Sequence, residues 1–165
     1  MKDPLTPTPE AQVVTRDARG RWGSPRTLVS GGDIAPWPPD GRAVAMVTRS
    51  PGKPLSLEVV TVSGGTRRVL LTVRDPARDV APLNPYLSLW SDDGRVVYFI
   101  GRDPKDGIVG IWGVPAAGGP PRPAVLFDDP ARRWHQNGFR LHGGRFYFTL
   151  GDLQSDVWVT EVLSP

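Results

Sequence analysis

The apolar residues of this chain occur in short runs separated by polar turns, and this spacing predicts an all-β protein. Val, Leu, Phe, Tyr and Trp cluster over a few positions at a time, and no stretch sustains the 3.6-residue period of an amphipathic helix. Glycine and proline, 19 of each among 165 residues, punctuate the clusters and favour turns over helices. A helical bundle is therefore excluded, and antiparallel strands joined by short turns are expected.

The apolar runs belong to an internal repeat of about 50 residues. Segment 37–47 (WPPDGRAVAMV) recurs as segment 90–100 (WSDDGRVVYFI), and a third version follows at 141–150 (LHGGRFYFTL). A second landmark keeps the same step, since 59–65 (VVTVSGG) is echoed by 111–119 (IWGVPAAGG). Two landmarks that keep nearly one period indicate a repeat architecture.

Each repeat unit predicts one four-stranded antiparallel sheet. The Asp-Gly pairs at 40–41 and 93–94 favour tight turns, because glycine accepts the positive φ that such turns require. An apolar strand, a polar loop, a second strand, a Gly-Gly turn and a final strand follow in both units. Because no helix is available to cover such sheets, they must bury their faces against one another, as the blades of a β-propeller do.

The repeat divides the chain into about three blades, fewer than the four to eight of a closed propeller. We expect the following units: 1–9, an extended lead-in; 10–33, the outer half of a preceding blade; 34–84 and 85–130, complete blades; and 131–165, a terminal blade of three strands whose third strand is 155–162. Open edges at both ends of such an arc favour self-association.

These residues resemble the TolB-like, WD-like β-propeller repeat. The resemblance is carried by Trp-x-x-Asp-Gly-Arg before an apolar strand, and by a later strand that ends at Gly-Gly. It departs from the usual pattern at 142–144 (HGG), where the aspartate of the turn is replaced. The resemblance implies that the chain is the C-terminal part of a six-bladed bacterial propeller, with a periplasmic or extracytoplasmic location.

The implied function is a non-catalytic module that binds a protein or peptide. The alternative is an accessory or sensor domain of an enzyme, a serine/threonine kinase or a prolyl oligopeptidase-type peptidase, whose catalytic domain lies elsewhere. Fold-level analogy alone supports both. No Gly-x-Ser-x-Gly elbow is present to activate a serine, so no hydrolase activity is expected, and Ser155 and Asp156 with His142 are not interpreted as a triad.

Charge and composition exclude several other classes. The net charge is +3, and the arginines are scattered rather than clustered, which argues against nucleic-acid binding. There is no cysteine, signal-like start or apolar run of membrane-spanning length, so no membrane insertion is expected. His135 and His142 lack partner ligands for a metal site, and the acidic pairs 92–93, 103–106 and 128–129 suit turns. No Gly-Lys-Ser/Thr phosphate loop is present, and no cofactor is expected.

The six tryptophans separate into two groups. Five follow the repeat and are interpreted as packing between blades: Trp37, Trp90 and Trp134 before a strand near the inner edge, and Trp112 and Trp158 in third strands. Trp22 lies between Arg21 and Gly23 in a predicted loop and does not follow the repeat. Because tryptophan is enriched where proteins meet partners, Trp22 is the candidate for a partner contact.

Overall fold

The computed structural model describes residues 10–30, 32–34, 37–38, 40–48, 52–75, 78–82 and 88–152. These residues form thirteen strands, arranged in four antiparallel sheets, and the described part of the chain contains no helix. The all-β prediction is confirmed.

The first two sheets come from the N-terminal half. The first pairs β1 (Glu10–Val13) with β2 (Arg26–Ser30). The second has the order β3-β4-β5-β6, with the bounds Gly32–Ile34, Ala43–Thr48, Leu55–Thr61 and Arg67–Val73. Each strand of the second sheet pairs with the strand next to it in sequence, so the sheet is a simple meander.

The third and fourth sheets repeat this plan. The third sheet has β11 (Arg122–Phe127), β10 (Val109–Pro115) and β9 (Val96–Arg102) in order, and both β7 (Ala81–Pro82) and β8 (Ser88–Trp90) pair with β9. The fourth pairs β12 (Arg132–His142) with β13 (Arg145–Asp152). The predicted strand 155–162, with Ser155, Asp156 and Trp158, lies outside the described residues.

Two predicted unit boundaries differ from the observed strand pairing. Gly32 and Asp33 pair with β4 and so belong to the second sheet, not to the preceding partial blade. Ala81 and Pro82 pair with β9 and so belong to the third sheet, not to the unit that ends at 84. Both short strands precede the Asp-Gly turn of their sheet. Each belongs to that sheet because it forms hydrogen bonds with a strand later in the chain, and the amino-acid composition does not reveal this pairing.

Apolar side chains from neighbouring sheets form three buried clusters. The first two sheets share Ala11, Leu28, Val29, Val44, Met46 and Val60. The second and third share Ala45, Val47, Leu57, Val59, Leu70, Trp90, Val97, Phe99, Trp112, Val114 and Ala116. The third and fourth share Ile100, Ile111 and Phe139, with Tyr98, Trp134 and Phe146 packed around them. Successive sheets therefore bury their faces against each other, as blades do.

The Asp-Gly turns are equivalent in the second and third sheets. Gly41 N–H donates to the Pro38 carbonyl at 3.0 Å, and Gly94 N–H donates to the Ser91 carbonyl at 2.9 Å. Both glycines have a positive φ, 63° and 68°, which a residue with a side chain adopts only with strain. The repeated motif in the sequence is thus a repeated turn in the structure.

The third turn is shorter than the repeat alignment predicts. His142 pairs with Arg145, so only Gly143 and Gly144 form the turn, and their φ values of 56° and 71° suit a two-residue hairpin of type I′. As a result, Trp134 does not match Trp90. Leu141 matches it, because Leu141 pairs with Phe146 as Trp90 pairs with Val97.

Arginines also connect neighbouring sheets at equivalent positions. Arg26 of β2 donates to the Val62 carbonyl at 2.6 Å, and Arg68 of β6 donates to the Ala116 carbonyl. Val62 and Ala116 are themselves equivalent, because each backbone N–H donates to the carbonyl of the arginine that follows the Asp-Gly pair, Arg42 or Arg95. Hydrogen bonds from charged donors are stronger than neutral ones, so these contacts help to fix the register between sheets.

Candidate functional site

Trp22 lies in the ordered loop between β1 and β2. A β-bridge joins Trp22 to Arg16, and Gly23 N–H donates to the Thr15 carbonyl at 2.9 Å. Inside the loop, Asp17 Oδ1 accepts backbone hydrogen bonds from Arg19 and Arg21, both at 2.9 Å. The loop is therefore held by its own hydrogen bonds.

The Trp22 side chain is 68% exposed, and the Arg16 guanidinium carbon lies 5.6 Å from the centre of its ring. This distance suits a cation–π contact, which holds the indole in place while leaving most of it open to solvent. A shallow hollow of about 390 Å³ surrounds the pair, lined also by Thr15, Asp17, Arg21 and Gly23. The structure thus places Trp22 on the surface, as a partner contact requires; whether it contacts a partner stays a prediction.

A larger cleft, of about 620 Å³, lies between the β9–β10 turn and the β11–β12 connection. Its apolar wall comprises Ile108, Val109, Phe127, Pro130 and Trp134. Its charged residues are Arg102, Arg132 and Arg133, with Asp106, Asp128 and Asp129. Its volume lies within the roughly 300–1,000 Å³ of small-molecule pockets, but such pockets are mostly apolar, whereas six of the twelve residues that line this cleft are charged.

Hydrogen bonds and ion pairs satisfy some of these charges and leave others available. Arg102 donates to the Gly107 carbonyl at 2.8 Å, and Arg132 forms ion pairs with Asp129 at 3.9 Å and with Asp152 at 3.4 Å. Among the described residues, Arg133 and Asp128 have no ion pair within 4.0 Å. Arg102 and Asp106 also have no ion pair, but Asp106 Oδ1 accepts a hydrogen bond from Ile108 N–H at 2.9 Å. Arg133 and Asp128 are therefore the cation and the anion of the cleft whose side chains have neither an ion pair nor a hydrogen bond among the described residues.

Sequence reasoning missed this cleft because no motif marks it. Its residues come from the β9–β10 turn, the adjoining ends of the four strands β9 to β12, and the β11–β12 connection. The sequence pattern of the acidic pair 128–129 predicts a turn and no more. That interpretation is correct locally, since Asp129 Oδ1 accepts a hydrogen bond from Ala131 N–H at 2.9 Å. The cleft becomes visible only when the third and fourth sheets are packed together.

Of the residues considered for catalysis and metal binding, the structure describes the side chain of His142. His142 is exposed at the end of β12, the His135 side chain lies outside the described residues, and so do Ser155 and Asp156. In the described part of the chain, no three His, Asp or Glu side chains form a group that could hold a metal ion. Nor do the described residues include a helix long and apolar enough to cross a membrane.

The Ser91–Asp93 turn contains an aspartate with a perturbed acidity. Ser91 Oγ donates to Asp93 Oδ1 at 2.6 Å and Arg95 N–H donates to the same oxygen at 3.0 Å, and these bonds lower the pKa of Asp93 below its usual value. Because the folded pKa is lowered, the ionised carboxylate stabilises the fold above the unfolded pKa. That stabilisation is lost as the pH falls through the folded value.

We therefore expect Asp93→Asn to make the free energy of unfolding depend less strongly on pH under acidic conditions. The wild-type free energy of unfolding should fall as the pH drops below about 4, and the variant should lose less over that interval. Ser91→Ala removes the strongest hydrogen bond to the carboxylate and should reduce the same pH dependence by a smaller amount. Chemical denaturation at a series of pH values measures this, and parallel curves for the three proteins would contradict it.

Comparison with known proteins identifies the fold. No protein-family model matches the chain, and no curated protein sequence does. Among solved structures, the crystal structure of TolB from Acinetobacter baumannii superposes with a TM-score of 0.52 over 92% of this chain, at 20% identity. The chain has a TolB-like β-propeller fold. The match spans 37% of the Acinetobacter TolB chain.

The TolB-like fold explains why four sheets stack with apolar clusters between them and why the Asp-Gly turns are equivalent. It also gives the cleft a position, on the loops between neighbouring blades. The cleft combines the β9–β10 turn of the third sheet with the connection from the third sheet to the fourth.

Proposed function

We propose that this chain is a non-catalytic part of a larger TolB-like propeller and that it binds an extended segment of a partner protein. The observation that carries the proposal is the cleft of about 620 Å³ between the third and fourth sheets. Trp22, with its exposed ring, is a second contact point on the same chain. The structural relation to TolB supports the fold, and the binding role rests on the surface features.

The cleft suits a peptide because it combines three kinds of contact. Phe127 and Trp134 provide aromatic wall, Arg133 can pair with a carboxylate, and Asp128 can pair with an ammonium or guanidinium group. A peptide segment offers apolar, anionic and cationic groups within a few residues. It can therefore satisfy this set, which a purely apolar ligand cannot.

Selection from a displayed random peptide library against the immobilised chain tests the proposal. We expect peptides to be selected, and the double variant Asp128→Ala/Arg133→Ala to bind them about tenfold more weakly, as measured by fluorescence polarisation. Lys105→Ala, an exposed lysine on the same β9–β10 turn that does not line the cleft, is the matched control and should bind within about twofold of wild type.

Two results would contradict the proposal. If no peptide is selected at concentrations up to about 1 mM, the chain does not bind peptides. If selected peptides bind the double variant and wild type equally, the cleft is not their site. The variant Trp22→Ala then shows whether the β1–β2 loop carries the binding instead.

A further inference from the structure

The outer edge of the third sheet is free beside the cleft. β11 pairs with β10 on one side, and no other strand among the described residues pairs with its second side. The neighbouring sheets pack against the two faces of the third sheet. This edge is therefore not the surface on which one blade packs against the next, and its backbone groups are available to a partner.

Leu126 directs its backbone groups to the free edge. A Cβ atom at Gly110 would lie 2.5 Å from the Val125 carbonyl oxygen, so this carbonyl points towards β10. Successive residues of an antiparallel strand direct their N–H and C=O groups to opposite sides, so those of Leu126 point away from β10. The Leu126 side chain is 42% exposed. An added strand thus finds a backbone donor, a backbone acceptor and an apolar side chain at this residue.

The preceding part of the same edge is protected against pairing. A bulge in the β10–β11 register leaves Ala124 without a partner, and Pro123 has no N–H to donate. Bulges and prolines are devices that prevent pairing at edge strands. The available edge therefore begins after Ala124 and leads directly to the cleft, which Phe127 and Asp128 line.

The face of β11 that carries Phe127 is turned towards the fourth sheet. The Phe127 ring lies 5.0 Å from the Phe148 ring of β13, and Arg133 of β12 lines the cleft together with Phe127. Leu126 points to the opposite face, since side chains alternate along a strand. A partner residue opposite Leu126 therefore meets an apolar side chain, whereas the partner residue opposite Phe127 faces the cleft and Arg133.

From this arrangement we propose that β11 and the cleft bind an extended partner segment as an added antiparallel strand with the residue order basic, acidic, apolar. The apolar residue lies opposite Leu126 and exchanges both backbone hydrogen bonds with it. The acidic residue pairs with Arg133, and the basic residue, which lies opposite Asp128, pairs with that carboxylate. Antiparallel pairing is favoured because it is slightly more stable per residue than parallel pairing. The inference rests on the proposed binding function and specifies the partner sequence that the same cleft selects.

Short synthetic peptides that carry this order test the inference. The first has the central sequence Lys-Glu-Val between threonine flanks, and the second has the reversed centre, Val-Glu-Lys. The reversed peptide keeps the composition and the net charge, but it places valine rather than lysine opposite Asp128 when it adds to β11 in the same direction. We expect the first peptide to bind the full chain at least tenfold more tightly, as measured by isothermal titration calorimetry.

Methylation of the peptide backbone distinguishes strand addition from binding through side chains alone. In the first peptide, the N–H of the valine points to β11, whereas the N–H of the glutamate points to solvent. We expect N-methylation of the valine to weaken binding at least tenfold, and N-methylation of the glutamate, the matched control, to weaken it less than about threefold. Both peptides are measured on the wild-type chain, so the result does not depend on the folding of a variant.

Leu126→Pro tests the edge from the side of the chain. It removes the outward N–H without removing a hydrogen bond to β10, and proline is tolerated on an edge strand. We expect it to weaken binding of the first peptide about tenfold. Thr72→Pro is the matched control, because Thr72 pairs with Ser56 on the outer strand of the second sheet as Leu126 pairs with Gly110. It should bind the peptide within about twofold of wild type.

Four outcomes would overturn the inference. They are equal binding of the first and the reversed peptide, equal effects of the two N-methyl groups, unchanged binding by Leu126→Pro, and a self-associated chain that Leu126→Pro dissociates. The last would assign the edge to a second copy of the chain. If library peptides bind through Asp128 and Arg133 while the first peptide fails or the two N-methyl groups act alike, the proposed function stands and this inference alone is wrong.

Discussion

Phe99→Ala is expected to lower the free energy of unfolding by about 3–5 kcal/mol, because it removes a fully buried ring and leaves a cavity. Phe99 has no exposed surface and lies on β9 opposite Trp112, in the apolar cluster between the second and third sheets. A domain of this size has a total stability of roughly 5–15 kcal/mol. Urea denaturation followed by tryptophan fluorescence should therefore show a large shift of the midpoint, or a protein that is already partly unfolded.

Phe148→Ala is the control for the Phe99 prediction. Phe148 is 37% exposed and contacts the Phe127 ring at the surface of the fourth sheet. Its loss should cost about 1–2 kcal/mol, from a partly exposed ring and one aromatic pair. Similar losses for the two variants would show that the sheets do not pack through the Phe99 cluster.

The strands that follow the Asp-Gly pairs could be predicted from sequence because each carries its own signal. Gly41 and Gly94 fix the turns, and the apolar runs after them supply strands β4 and β9. The short strands β3 and β7 could not be assigned to their sheets in this way. They comprise three and two residues, and each depends on hydrogen bonds to a strand later in the chain.

Register was harder to predict than the existence of strands. A sequence alignment of Gly-Gly-Arg at 143–145 with Asp-Gly-Arg at 93–95 makes Tyr147 equivalent to Val97. In the structure the turn of the fourth sheet is two residues shorter than that of the third, and Tyr147 is equivalent to Tyr98. A change in turn length of this kind is read reliably only from strand pairs such as His142 with Arg145. The pairing of Tyr147 with Arg140, which depends on that register, is therefore not predictable from the sequence repeat.

The two candidate sites differ in the same way. Trp22 could be singled out from sequence because it lies in a loop and does not follow the repeat, and the structure places it on the surface. The cleft beside Phe127 and Trp134 required the packing of two sheets. An exposed loop residue can be predicted from the sequence around it. A cleft between two sheets depends on how the sheets pack, which the sequence of either sheet does not show.

Gly110→Ala is expected to destabilise the third sheet by about 3 kcal/mol, the upper part of the range for overpacking. A Cβ atom at Gly110 would lie 2.5 Å from the Val125 carbonyl oxygen of β11 and 3.0 Å from Leu126 Cδ2. The carbonyl belongs to backbone that pairs with β10, so the strands must separate to admit the methyl group. The φ of Gly110 is not positive, and the loss arises from this contact rather than from backbone strain.

The sign of the change in unfolding free energy distinguishes a crowded glycine position from one with room for a methyl group. Alanine narrows the unfolded ensemble relative to glycine, so a position with room for a methyl group gains about 0.4–1 kcal/mol on this substitution. Gly64→Ala provides that reference, because the nearest atom to its Cβ would be Thr66 Oγ1 at 3.7 Å and its φ is not positive. Chemical denaturation should show Gly64→Ala unchanged or slightly stabilised and Gly110→Ala strongly destabilised. If both variants are stabilised, β10 and β11 do not approach each other at Gly110 as closely as the pairing of the third sheet requires.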